Sequence, residues 1–178
     1  MKKKPWETLP KVWKTEAAFM SYIRSGIRKS IWSRYPVKTE FMKYKRVRGV
    51  NPKTGRNCYG GDCYICGKFF AQNDTEVDHL EGNHSMKSIG QVSSYLEALL
   101  FIDFDGLGIV CKPCHKIKSY SERMGITFEE ARVEKETIAY MKKSVKDIDK
   151  VLTKHNLPCN NATVRRKGVG ELFKEGLL

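Results

Sequence analysis

Four of the six cysteines fall into two identical spacings, Cys63-x2-Cys66 and Cys111-x2-Cys114, with 44 residues between the pairs. Two turns that each present a pair of thiolates close a tetrahedron around one zinc ion. No coordination position stays open, so such a zinc is structural rather than catalytic. The constraint on the fold is severe, because everything between the pairs must leave one corner of the site and return to it. Disulfides and buried thiols are the other readings of a C-x2-C pair. The setting favours zinc: Gly61-Asp62 precede the first pair and Pro113 lies within the second. The start, Met1-Lys2-Lys3-Lys4-Pro5-Trp6, has a basic cluster with no apolar run behind it, so the expected compartment is the reducing cytoplasm. Cys58 could compete as a ligand, but the regularity of the pairs makes Cys58 and Cys159 bystanders.

The chemistry-bearing residues cluster against these pairs. Asp74-Thr75-Glu76-Val77-Asp78-His79 reads as a short strand that ends on a carboxylate and an imidazole, and His115 follows directly on Cys114. A zinc joining the two pairs is expected to draw this strand toward the helix that starts near Pro113. Hydrolysing a phosphodiester needs a base to activate water and a cation to offset charge on the phosphate and leaving oxygen. A neutral histidine suits the base, and an aspartate with a second histidine suits a divalent ion. His84 and His155 have no such setting and read as surface or hydrogen-bonded residues.

Charge points to the partner. Residues 1–58 carry sixteen Lys/Arg against three Asp/Glu, whereas residues 59–178 carry seventeen of each, so the net +13 lies wholly in the N-terminal third. The basic residues alternate with aromatics (Trp6, Trp13, Tyr22, Trp32, Tyr35, Phe41, Tyr44), which suits phosphate contact and base stacking, although the same rings could fill a core. Lys43, Lys45, Arg46 and Arg48 form the densest basic run, expected as a strand or an ordered arm that contacts DNA. No apolar run approaches the about 20 residues of a membrane span. Periodicity predicts helices over 15–33 (stripe Phe19, Ile23, Ile27, Ile31), 92–101 and 113–125, then one long helix from the Thr127 capping box to 153 and a short terminal helix. A strand is expected over 107–110, and turns at 51–55 and at Gly60-Gly61-Asp62.

Taken together, Cys63-x2-Cys66, Val77-Asp78-His79 and Cys111-x2-Cys114-His115-x2-Lys118 resemble the zinc-knuckle branch of the HNH endonucleases, the ββα-metal nucleases, including phage homing and nicking enzymes. The resemblance spans about 62–124. It implies that His79 is the general base, that Asp78 and His115 ligate a catalytic Mg²⁺ or Mn²⁺, that the four cysteines bind zinc, and that Lys118 faces phosphate or solvent. One position departs. The middle asparagine of the family falls on Gly106, with Asp105 beside it and Asp103, Asn83 and His84 as neighbours able to reach in. The expected architecture is α+β: a basic, partly helical DNA-contacting region over 1–58, a ββα-metal domain with an inserted helix over 59–125, and a helical extension over 126–178. The expected function is a metal-dependent DNA endonuclease. A zinc-stabilised DNA-binding module without hydrolysis is the alternative.

Overall fold

A computed structural model describes residues 3–82 and 85–178; Asn83 and His84 lie outside the described residues. Mixed helix and sheet divide into two compact units, Met1–Lys112 and Pro113–Leu178.

In the first unit, α1 (Pro5–Thr8) and α2 (Glu16–Ser30) precede a 3-10 turn (Trp32–Arg34) and α3 (Pro36–Lys45). Thr15 caps α2, its hydroxyl accepting from the Ala18 N–H at 3.2 Å. Phe19, Ile23 and Ile27 pack inward around the fully buried Met20, while Ile31, expected on the same stripe, has left the helix and is exposed. Pro36 opens a new helix at its first turn, where the missing N–H costs nothing. The basic run is therefore split. Lys43 and Lys45 close α3, and the chain is extended from Arg46 on.

Strands β1 (Val47–Val50), β2 (Asn57–Asp62) and β3 (Phe69–Ala71) form an antiparallel sheet in that order. Gly60-Gly61-Asp62, expected as a turn, is the end of a central strand: Gly60 pairs with Val47 on one side and Ala71 on the other. Close approach is what demands glycine here. A Cβ on Gly60 would lie 2.0 Å from the Phe70 carbonyl oxygen, and one on Gly61 would lie 2.5 Å from Ile109 Cδ1. Gly60→Ala is expected to destabilise the unit by about 2–3 kcal/mol, because backbone rather than a flexible side chain must yield. Thermal denaturation checks this, and an unchanged midpoint would show that β2 can shift aside.

A second antiparallel pair, β4 (Thr75–His79) and β5 (Leu107–Cys111), runs in register from Thr75↔Cys111 to His79↔Leu107. The chain between them holds the inserted α4 (Val92–Leu100), and β5 is buried throughout. Val77, Leu107 and Ile109 meet Phe41 and Met42 of α3 in one apolar cluster; Met20, Met86, Tyr95 and Leu99 form another. Trp32 packs against both. β5 passes directly into α5 (Lys112–Met124), giving the order strand, strand, helix around the second cysteine pair.

The second unit continues α5 with α6 (Phe128–Tyr140), α7 (Val145–Lys154) and α8 (Ala162–Lys174). The capping box at Thr127 forms as expected, with Glu130 returning to the Thr127 N–H at 2.8 Å. The single helix expected to 153 is two helices. Ser144 accepts from the Asp147 N–H at 3.2 Å and starts α7 afresh, which lets Ile148 and Leu152 turn onto Val169 and Leu172. Arg165 grips Asp149 with two bonds of 2.6 and 3.0 Å, and Arg166 pairs with Glu134, so α8 is tied to both α7 and α6. No described helix is long and apolar enough to cross a membrane.

Candidate functional site

The cysteine pairs converge. The Sγ atoms of Cys63, Cys66, Cys111 and Cys114 all lie within 4.8 Å of one another. Four thiolates at about 2.3 Å from one zinc ion stand roughly 3.8 Å apart, so the cluster suits a tetrahedral metal with little adjustment. The first pair sits on a tight turn between β2 and β3. The Cys63 N–H donates to the Lys68 carbonyl at 3.0 Å, the Gly67 N–H returns to the Cys63 carbonyl at 2.8 Å, and Gly67 takes a left-handed φ of 67° that favours glycine. The Tyr64 N–H donates to the Ile109 carbonyl at 2.9 Å, which ties this turn to the strand leading into the second pair. Burial opposes ionisation of the Cys63 thiol. Backbone N–H groups of Cys111, Cys66 and Ile65, with the Cys66 thiol, outweigh it and hold the pKa at about 7. A thiol so placed is ready to bind metal. Cys58 lies on β2, and Cys159 packs against the Ile148–Leu172 core; neither belongs to the cluster.

His79 and Asp78 end β4 together but differ in setting. Burial alternates along the strand, with Thr75, Val77 and His79 covered, Glu76 exposed and Asp78 half-buried. Neighbouring residues on a strand project to opposite sides, so His79 shares the core side with Val77 while Asp78 shares the other with Glu76. His79 is only 5% exposed. Its Nε2 lies 3.0 Å from the Leu99 carbonyl oxygen at the end of α4. A carbonyl can only accept, so Nε2 carries the hydrogen, and in the neutral ring Nδ1 is the nitrogen with the lone pair. The Trp32 ring stacks on the imidazole with centroids 4.3 Å apart and planes 28° apart. Nearby, the Tyr35 hydroxyl donates to the Leu100 carbonyl at 2.6 Å. His115 lies in the first turn of α5, half-buried, in the Pro113–Leu178 unit.

A cavity of about 280 Å³ opens beside the histidine, lined by His79, Glu81, Ala98, Phe101, Ile102 and Asp105 among others. Gly106, the position that departs from the family pattern, also lines it. A Cβ there would meet Ile102 Cδ1 and Cγ1 at 2.8 Å, so Ile102 would have to shift to admit an asparagine side chain. Asp103 organises the loop instead, its carboxylate accepting the N–H groups of Asp105 and Gly106 at 3.1 and 3.3 Å. The Leu80 N–H then donates to the Gly106 carbonyl at 2.8 Å.

The basic residues singled out by the sequence fall into two sets. Arg46 and Arg48 converge on Tyr59, with guanidinium carbons 4.6 and 5.2 Å from its ring centroid. Arg48 and Tyr59 are direct partners across β1 and β2, so they share a sheet face. Lys45 lies over the exposed Tyr44 at 5.4 Å, whereas Lys43 is drawn to Glu40 at 2.7 Å. Sequence reasoning missed Trp32 as a partner of His79, Glu81 as a cavity wall, and Lys38, whose Nζ lies 4.7 Å from the Trp32 ring centroid. Only the Trp32–Tyr35 aromatic cluster ahead of α3 hinted at the first. No family model, curated protein or solved structure matches the chain.

Proposed function

We propose that the chain is a metal-dependent DNA endonuclease of the HNH type, with His79 as general base. The observation that carries this reading is the hydrogen bond from His79 Nε2 to the Leu99 carbonyl, at a strand end beside an open cavity. That bond fixes the ring and puts the hydrogen on Nε2, so Nδ1 of the neutral ring carries the lone pair that a base uses. The order β4, β5, α5, with Cys111 and Cys114 of the cysteine cluster where β5 passes into α5, supports the same reading. In the proposed reaction a water oxygen forms a bond to phosphorus while His79 Nδ1 takes its proton. The bond from phosphorus to the leaving sugar oxygen breaks, its electron pair stays on that oxygen, and the oxygen takes a proton from solvent. Asp78 and His115 would hold a divalent ion, Mg²⁺ or Mn²⁺, which when bound supplies positive charge to the phosphate. Glu81 and Asp105 also line the cavity, and their carboxylates would repel an approaching phosphate unless positive charge offsets them. The four cysteines would hold zinc.

The deciding experiment incubates supercoiled plasmid with the purified chain and Mg²⁺ or Mn²⁺, with EDTA as control. Nicked or linear product that requires the metal is expected. Binding without cleavage in every metal would assign the chain to a zinc-stabilised DNA-binding module instead.

The grip on DNA is proposed to lie at the end of α3 and on β1. Lysine and arginine side chains that neutralise phosphates release counterions, so affinity falls linearly with salt on a log–log plot. Neutralising Lys43, Lys45, Arg46 and Arg48 together is expected to weaken binding on any sequence. It should also flatten that slope by about one for each phosphate that no longer has a basic partner. An unchanged slope would move the DNA-binding surface elsewhere. Arg165 and Arg166 are poor substitutes, being already engaged by Asp149 and Glu134.

A further inference from the structure

Strands β1 and β2 form a ribbon that outruns its sheet. β3 pairs only with Gly60, Gly61 and Asp62, so from Tyr59 to the turn the ribbon has two strands. One of its faces is closed. Gly49 and Gly60 leave room there for the Phe69 ring, which a Cβ would meet at 2.6 and 2.8 Å respectively. The other face carries the direct partners Arg48 and Tyr59. Arg46 reaches the same ring, and the guanidinium carbons of Arg46 and Arg48 lie 4.6 and 5.2 Å from its centroid. All three residues are exposed. Residues 46–61 include Arg46, Arg48, Lys53 and Arg56 but no Asp or Glu. Among the described residues Lys43 pairs with Glu40 and Lys53 with Asp74, whereas neither Arg46 nor Arg48 has an ion-pair partner. Two guanidiniums gathered on one ring repel each other, and an exposed aromatic face offsets only part of that repulsion. An anion seated between them would remove it.

We propose that Arg46 and Arg48 act as one clamp on a single backbone phosphate of duplex DNA, with Tyr59 as the positioning residue that holds the pair. The proposal rests on the DNA grip of the proposed function and not on its cleavage chemistry. A guanidinium is a planar fork of donors that matches phosphate oxygens, and a phosphodiester has two unesterified oxygens, one for each fork. The ring keeps both forks on the open face of the ribbon, so less side-chain freedom is lost when the phosphate arrives. Lys43, drawn to Glu40, and Lys45, over Tyr44, lie outside the clamp.

The test uses the full chain as purified, with no catalytic metal added. Binding of a duplex oligonucleotide is followed by fluorescence anisotropy over a series of salt concentrations, with the melting temperature alongside. Arg46→Gln and Arg48→Gln are each expected to weaken binding about three- to tenfold with little change in the log–log salt slope, because the remaining guanidinium still neutralises the phosphate. The double variant should lower the slope by about one, the mark of one phosphate and not two. Tyr59→Val keeps every charge and should still weaken binding about three- to tenfold, while Tyr59→Phe, which keeps the ring, stays within about twofold of wild type. Wild-type affinity in folded Tyr59→Val would overturn the proposal. So would single arginine variants that each lower the slope by about one, since two arginines would then serve two phosphates. A double variant with an unchanged slope would overturn it as well. If Tyr59→Val fails to fold, the arginine variants still decide, because both side chains are exposed. None of these outcomes needs cleavage. A chain that shows the expected slopes but cuts plasmid in no metal would support the clamp and overturn the nuclease reading, and a chain that cuts without showing them would do the reverse.

Discussion

His79→Ala is expected to lower plasmid cleavage by about 10²–10⁴-fold while duplex affinity stays within about twofold, because in the proposed function His79 is a general base that acts in the chemical step and not in the grip on DNA. The substitution also has a structural cost. It strips the Leu99 carbonyl of its 3.0 Å partner and removes a ring packed under Trp32, so some loss of stability, about 1–3 kcal/mol, comes with it. His79→Gln separates the two effects. A glutamine amide can donate to the Leu99 carbonyl but has no basic nitrogen, so this variant should melt closer to wild type than the alanine variant and still fail to cut. Cleavage by either variant at the wild-type rate would remove His79 from the role of base. A stable glutamine variant that loses DNA binding would make the residue part of the binding surface instead.

Serine at Cys63, Cys66, Cys111 or Cys114 is expected to have an effect comparable to the whole margin of folding. The four sulfurs lie within 4.8 Å of one another, so removing one opens the tetrahedron for the other three. Structural zinc contributes about 10–16 kcal/mol in small zinc domains, against a typical folding stability of about 5–15 kcal/mol. Each variant should therefore purify with sharply reduced zinc and should lose its cooperative melting transition or show it at much lower temperature. A strong chelator should do the same to the wild type. Cys58→Ser and Cys159→Ala are the controls. Cys58 is on β2 outside the cluster, and Cys159 packs, half-buried, against the core of the second unit, so both variants should keep their zinc. Metal content by atomic absorption and a thermal melt read both quantities. A Cys58 variant without zinc would mean the ligand set is wrong, and a folded wild type free of tightly bound metal would exclude a structural zinc altogether.

What was legible along the chain had a local cause. The Cys63-x2-Cys66 spacing announces its turn, whereas Cys111-x2-Cys114 falls where β5 runs straight into α5, and the Thr15 and Thr127 caps are set within three residues of their partners. The strand ending in Asp78-His79 shows itself by alternation, and the 113–125 helix by Pro113 and the left-handed Gly125 at φ 66°. The 44-residue gap between the pairs already required an insertion, and α4 lies in it. Other features have causes far apart in sequence. Gly60-Gly61 has the composition of a turn, and only the approach of the Phe70 backbone and Ile109 turns it into a strand that cannot carry a side chain. Gly106 looks like a lost asparagine until Ile102 is seen packed over it. The helix expected to reach 153 breaks at Ser144 because Ile148 and Leu152 must face Val169 and Leu172, a demand of packing that outweighs continuous helix propensity. The same holds at the proposed site. The residue types Asp, His and Cys were readable from their order alone, since chemistry depends on which atoms are present. Their environment was not: the Leu99 carbonyl that sets the His79 proton lies twenty residues away, and Trp32 and Lys38 come from a different segment altogether. Periodicity reports which face of an element is buried. Which group covers that face is decided only when distant elements close on one another.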